Sequence, residues 1–180
     1  MPTYHKVLVV TDAAINIAPT LEDKADICQN AIDLAVSLGV KKPKIAILAA
    51  VETVNSKMQA TLDAAALCKM ADRGQIKGGL LDGPLAFDNA ISKEAARIKG
   101  IQSEVAGDPD ILLVPDLESG NMLAKQLSFL ANADSAGLVL GARVPIILTS
   151  RADSVRARIA SCAVAMLAAH AGRPMLQAVT

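Results

Sequence analysis

Short aliphatic runs alternate with amphipathic stretches along the whole chain. "KVLVV" (6–10) predicts a strand, followed by the polar turn "TDAAINIAPT". In "LEDKADICQNAIDLAVSLG" the positions Ala25, Cys28, Ile32 and Ala35 recur at helical spacing. Thr20 and Asp23 predict a capping box at its start, with Asp in place of the usual Glu, and Gly39 supplies the stop. "KIAILAA" (44–50) predicts the next strand, and a helix from about Ser56 to Asp72 closes at Gly74. "GGLLDGP" carries a short strand into a turn at Asp82-Gly83-Pro84. One helix is then expected over Phe87 to Lys99, stopping at Gly100. "DILLVPD" (110–116) predicts a strand ending in Pro115, and "SGNMLAKQLSFLANA" a helix beginning near Gly120 or Asn121. "AGLVLGA" and "VPIILTS" are the last apolar runs, and Val144 to Leu148 has the composition of a buried strand. The final helix is expected from Val155 to His170.

Strands alternating with helices imply βαβ units and an α/β fold with a largely parallel sheet. Composition agrees. Half of the residues are apolar, drawn mostly from Ala, Ile, Leu and Val, with no Trp and three other aromatics. That palette suits strands buried on both faces beneath helices. No linker, low-complexity block or internal repeat divides the 180 residues, which fit one ordinary domain or a pair of small lobes.

Charge removes several function classes. Eighteen acidic residues balance eighteen basic ones, with no basic patch, so nucleic acid is not an expected partner. The apolar runs are too short for a signal peptide or a membrane span, and no membrane partner is expected. Cys28, Cys68 and Cys162 are odd in number and far apart, neither a disulfide framework nor a zinc site. The expected setting is a reducing cytoplasm.

Ligands of open α/β sheets sit beyond the carboxyl ends of the strands. The polar groups expected there are Thr11 and Asp12, Glu52, Asp82 with Gly83-Pro84, Asp116 after Pro115, and Thr149-Ser150-Arg151. Polar βα loops are also ordinary, so half the weight belongs to plain solvation. The chain lacks GxGxxG after a strand, GxxxxGK[ST] and GxSxG. His5 and His170 offer no route to a catalytic triad, and no metal-ligand spacing is present. A reaction here must use Arg, Ser, Asn, Asp and backbone dipoles, a set suited to phosphate and acyl transfer. The junction "VPIILTSRADSV" poses the sharpest choice. Its hydroxyls and Asp suit helix capping, whereas its Arg beside a helix N-terminus suits an anion.

Four segments, "TDAAINIAP", "DGPLAFDNAIS", "VAGDPDILLVPDLESGNMLAKQL" and "GARVPIILTSRADS", resemble the phosphate acetyltransferase / phosphate butyryltransferase family in order and spacing. The second and fourth are closer to the butyryltransferase-like branch. The resemblance implies a three-layer α/β/α sandwich of the isocitrate/isopropylmalate-dehydrogenase type, with residues 1–180 as one transferase domain corresponding to the family's C-terminal portion. It implies reversible transfer of an acyl group between coenzyme A and phosphate, with acyl-CoA as substrate, no permanently bound cofactor and no metal. Arg151 resembles the arginine that stabilises phosphate and transition state, and Ser150 the serine that bonds the thiol or the intermediate. Asn121 falls in the family's PDLxxGN block and is expected to line the cleft, as are Thr149, Asp82 and Asp116. Where the acetyltransferases carry an aspartate six residues after the arginine, this chain has Ala157, and Asp153 is the nearest carboxylate. The family's N-terminal lobe has no counterpart here, which predicts a homo-oligomer or association with such a lobe. A non-catalytic acyl-CoA-binding or interaction module derived from the family is the alternative.

Overall fold

The computed structural model describes residues 4–171. The outermost residues of the expected 1–180 domain therefore lie outside the described residues. Four parallel strands form the sheet: β1 (Val9–Thr11), β2 (Lys44–Leu48), β3 (Leu80–Leu85) and β4 (Ile111–Leu113), in the order β1-β4-β2-β3. The helices are α1 (Leu21–Ser37), α2 (Gln59–Asp72), α3 (Phe87–Ile91), α4 (Lys93–Ile98), α5 (Leu117–Phe129) and α6 (Val155–Ala171). A separate antiparallel ribbon joins β5 (Leu138–Val139) to β6 (Ile146–Ile147).

Alternation along the strands builds the layers. Ile45, Ile47, Ile111 and Leu113 pack with Cys28, Ala31, Ile32 and Ala35 of α1 and with Ala64 and Leu67 of α2. Ala46, Leu48, Leu112 and Val114 pack on the other side with Ala90 of α3, Ala96 of α4, and Val105. Both sheet faces are covered, so β2 and β4 are continuous aliphatic runs. The result is an α/β/α sandwich. The capping box at α1 forms as expected, with the Thr20 hydroxyl accepting from the Asp23 amide and the Asp23 carboxylate from the Thr20 amide.

Four expectations are corrected. The helix over 87–99 is two short helices broken at Ser92, whose hydroxyl caps α4. The amide of Gly107 takes the Ala90 carbonyl at 2.8 Å, and a Cβ on Gly107 would lie 2.5 Å from the Lys93 backbone. That inserted backbone uses the carbonyl a continuous helix needs. The turn at Asp82-Gly83-Pro84 is instead strand: Ala46 pairs with Asp82 and Leu48 with Leu85, so Gly83 and Pro84 together oppose Ile47 in a bulge. Helix α5 starts at Leu117, capped by Asp116, rather than at Gly120. Val144 to Leu148 is not buried: Val144, Ile146, Ile147 and Leu148 are 38–64% exposed. Among the described residues only β5 pairs with β6, and α6 packs beside the ribbon without burying these side chains.

At the amino edge of the sheet, Asp108 binds Lys44 (2.7 Å), Lys6 (3.1 Å) and His5 (2.8 Å), and Asp110 binds Lys6 (2.9 Å). Burial works to raise the Asp108 pKa, but the Lys44, Lys6 and His5 contacts outweigh it and hold the carboxyl well below its ordinary range. A carboxylate depressed in the fold contributes stability that is present above its unfolded value, about 3.9, and lost as pH falls through the folded one. Asp108→Asn is therefore expected to lower the urea midpoint by a constant amount from pH 7 to about 5, with the gap closing below about pH 4. A gap independent of pH down to acid unfolding would show that the charge is not the source.

Candidate functional site at the carboxyl edge

Beyond the carboxyl end of β1, one tight loop meets the start of α5. The Asp12 carboxylate folds the loop after β1 by accepting from the amides of Ala14 (2.8 Å), Ile15 (3.0 Å) and Asn16 (2.9 Å) and from the Asn16 side chain (2.7 Å). Burial opposes ionisation, but those donors prevail and Asp12 sits below the usual carboxylate range. Helix α5 lies close against this loop. The Asn121 side-chain amide donates to the Ala13 carbonyl at 3.2 Å, and the Leu117 amide to Ile17. Gly120 makes the approach possible, since a Cβ there would stand 2.7 Å from both the Asp12 carbonyl and Val114 Cγ2. Gly120→Ala is expected to destabilise the fold by roughly 1–3 kcal/mol through this overpacking. Unfolding midpoints measure it, and a neutral substitution would mean the helix can slide away freely.

Asp116 is occupied as the cap of α5, accepting from the Ser119 amide (2.8 Å) and hydroxyl (2.7 Å). The Ser119 amide is the main cause of its lowered pKa, opposed by burial and assisted by the Ser119 hydroxyl and the charge of Lys24. Lys24 is itself 5% exposed and forms an ion pair with Asp63 of α2 at 2.5 Å, while Gln59 donates to the other Asp63 oxygen. Sequence reasoning missed this pair, because the partners stand 39 residues apart in otherwise ordinary helices. Asn89, also missed, lies in the "DGPLAFDNAIS" block; it is fully buried and donates to Glu52 at 3.3 Å. Its Oδ1 has no partner among the described residues. Asp82 is half-buried and accepts from the Gly83 amide.

The junction before α6 divides its work. The Ser154 hydroxyl accepts from the Ala157 amide at 3.2 Å and so caps the helix. Asp153 does not cap; its carboxylate accepts from the Ser150 amide at 2.6 Å. The Ser150 hydroxyl accepts from the Ala152 amide at 3.3 Å, a long contact that leaves its proton available. Arg151 is exposed, and no carboxylate among the described residues pairs with it. Thr149 is half-buried. No hydrogen bond or ion pair among the described residues joins this junction to Asn121, Asp116 or Asp82, and none joins Asp82, which lies level with Leu112 in the sheet register, to Asn121 or Asp116, so the structure does not show one closed cleft. Burial, aided by neighbouring charge, pushes the thiols of Cys28 and Cys68 up to about 12, so both stay protonated at neutral pH. Among the described residues no group of three or more His, Cys, Asp or Glu could hold a metal, and no helix is long and apolar enough to cross a membrane.

Comparison with known proteins decides the ancestry. The family described as phosphate acetyl/butaryl transferase matches residues 1–166. The chain belongs to that family. It is 70% identical to a phosphate acetyltransferase of Rhizobium meliloti, over 93% of this chain and 53% of the relative. It is 53% identical to a probable phosphate butyryltransferase of Bacillus subtilis, over 94% of this chain and 57% of the relative. The crystal structure of a branched-chain phosphotransacylase from Enterococcus faecalis superposes with a TM-score of 0.82 at 38% identity, covering 89% of this chain and 58% of that one. The chain thus spans about half the length of the curated relatives it matches. Ala157 is buried in α6, and its methyl side chain carries no polar group.

Proposed function

We propose that this chain carries the acyl-transfer half-site of a phosphate acyltransferase that interconverts acyl-CoA plus phosphate with acyl phosphate plus coenzyme A. The observation that carries this reading is the family match over residues 1–166, coinciding with an arginine at a strand-to-helix junction that pairs with no carboxylate among the described residues. In the forward direction a phosphate oxygen attacks the thioester carbonyl, a tetrahedral oxyanion forms, and the C–S bond breaks to release the thiolate of coenzyme A. Arg151 neutralises phosphate with its planar fork. Ser150 donates its hydroxyl proton toward the sulfur or oxyanion, and Asp153 fixes the Ser150 backbone. Thr149 lines the same junction. Substrate positioning is assigned to Asn121 and Asp116 beside the loop after β1, and to Asp82 on β3. Coenzyme A enters as substrate, with no resident cofactor required.

Residues 1–180 are read as one domain equivalent to the C-terminal portion of the family, working in the cytoplasm and associated either with another copy or with a lobe like the relatives' remaining half. Thiol release from acetyl-CoA and butyryl-CoA, with and without phosphate, tests the activity. Phosphate-dependent release supports it, and the ratio of the two rates assigns the acyl class. Saturable acyl-CoA binding without release, in any assembly state, would turn the chain into a binding module. Ala157 is the observation that favours that second reading.

A further inference from the structure

We infer that Lys24 is a positioning residue for the proposed acyl transfer, because its ion pair with Asp63 fixes the loop after β1 against α5. This role rests on the proposed activity and adds a residue that touches none of the candidate site groups directly. Residues 12–19 run from the end of β1 to Thr20, the cap of α1. The Asp12 carboxylate folds the beginning of that loop. Along it, the carbonyls of Ala13 and Ile17 receive the Asn121 side chain and the Leu117 amide of α5. Its far end is only as fixed as the first turns of α1.

Those turns have little apolar anchorage. Among residues 21–27 only Lys24 is buried, and the buried apolar stripe of α1 begins at Cys28. The Lys24 ammonium donates to one Asp63 oxygen at 2.5 Å, and Gln59 donates to the other at 2.7 Å. The α2 side of the tie is itself held, since the fully buried Thr61 hydroxyl accepts from the Asn55 amide at 2.9 Å. The charge of Lys24 also reaches the capping carboxylate of Asp116, adding to the Ser119 amide that chiefly keeps it ionised. An ion pair this deep adds little stability over apolar residues of similar volume, because desolvation offsets the attraction. What it adds is direction: a hydrogen bond between charged groups holds one geometry, which apolar contact does not demand.

Phosphate-dependent thiol release and amide exchange are measured on the parent, on Lys24→Met combined with Asp63→Leu, and on Asp108→Asn. The paired substitution removes the tie at little net cost in stability, whereas Asp108→Asn weakens the amino edge and leaves the loop alone. In the paired variant kcat should fall about tenfold, with KM for acyl-CoA within about twofold, as expected of misplaced rather than unbound substrate. Exchange of the Asn16 and Leu117 amides should quicken about tenfold, while the Leu80 amide at the amino edge keeps the parental rate. Asp108→Asn should keep both parental kcat and parental loop exchange. Parental kcat in the paired variant overturns the inference. A fall in kcat with parental exchange also overturns it, because the loop would not be what the pair holds. An equal fall in Asp108→Asn overturns it too, since stability would then be the cause. Where the paired variant fails to fold, Lys24→Gln keeps a donor toward Asp63 and should show the same two changes, and parental values there overturn the inference. A parent that releases no thiol removes the proposed activity and leaves exchange to decide: quickened exchange keeps the tie, and unchanged exchange overturns it.

Discussion

Replacing Lys24 by Met is expected to cost the fold about 3–5 kcal/mol, the usual penalty for removing one partner of a buried ion pair. The side chains of Lys24 and Asp63 are each 7% exposed, and among the described residues Gln59 would be the only hydrogen-bond donor left to the Asp63 carboxylate. Against a total stability of about 5–15 kcal/mol, such a loss lowers Tm by roughly 10 °C in a chain of this length. Asp63→Asn should cost a similar amount, because it strands the ammonium instead. The double substitution Lys24→Met with Asp63→Leu should recover most of the loss, since two apolar groups need no partner. Unfolding of the four proteins at pH 7 measures the cycle. A Lys24→Met variant within about 0.5 kcal/mol of the parent would mean that water reaches the pair and that it is not a buried one.

The same pair explains why the candidate site was only partly legible in the sequence. Periodicity exposed the helices because α1 needs apolar groups at a helical repeat to cover Ile45 and Ile111, and the repeat survives in any neighbourhood. The capping box at Thr20 was legible for the same reason: both of its partners lie within one turn. Lys24 and Asp63 obey neither rule. Their meaning arises only when α1 and α2 pack side by side, and a lone Lys in an amphipathic helix predicts a solvated face. Asn89 was hidden in the same way, since a polar residue after a strand ordinarily faces water.

Other misreadings share one cause, which is tertiary contact overriding local signal. Gly120 looked like a helix start because glycine marks boundaries; it stands inside α5 because the Asp12 carbonyl presses against that point. Ser92 interrupts a good helical pattern because the Gly107 amide claims the carbonyl of Ala90. Gly83 and Pro84 looked like a turn but form a bulge opposite Ile47, where the missing N–H of Pro84 breaks no ladder bond. The exposed run Val144 to Leu148 teaches the converse. Composition states what a segment is suited to, and whether it is buried depends on what else is present to bury it. The family assignment was legible because four separated blocks had to agree in order, a far more restrictive condition than any single Ser-Arg pair.

Arg151→Ala is expected to reduce phosphate-dependent thiol release about a hundredfold or more, corresponding to a loss of at least about 2.7 kcal/mol of transition-state stabilisation. The attacking phosphate and the tetrahedral oxyanion both carry negative charge, and Arg151 is an exposed cation that no carboxylate among the described residues neutralises. A lysine keeps the charge but loses the paired donors, so Arg151→Lys should also lose much of the activity. Neither change should move the unfolding midpoint by more than about 0.5 kcal/mol, because the side chain is exposed. Ser154→Ala supplies the contrast. It removes the hydroxyl that satisfies the Ala157 amide and should cost about 1 kcal/mol of stability with a modest effect on rate. Activity and stability thus separate across three residues of chain: the capping function belongs to Ser154, which leaves Ser150 and Arg151 free for an anion. Parental turnover in Arg151→Ala, or unfolding as its sole defect, would return the whole junction to helix capping.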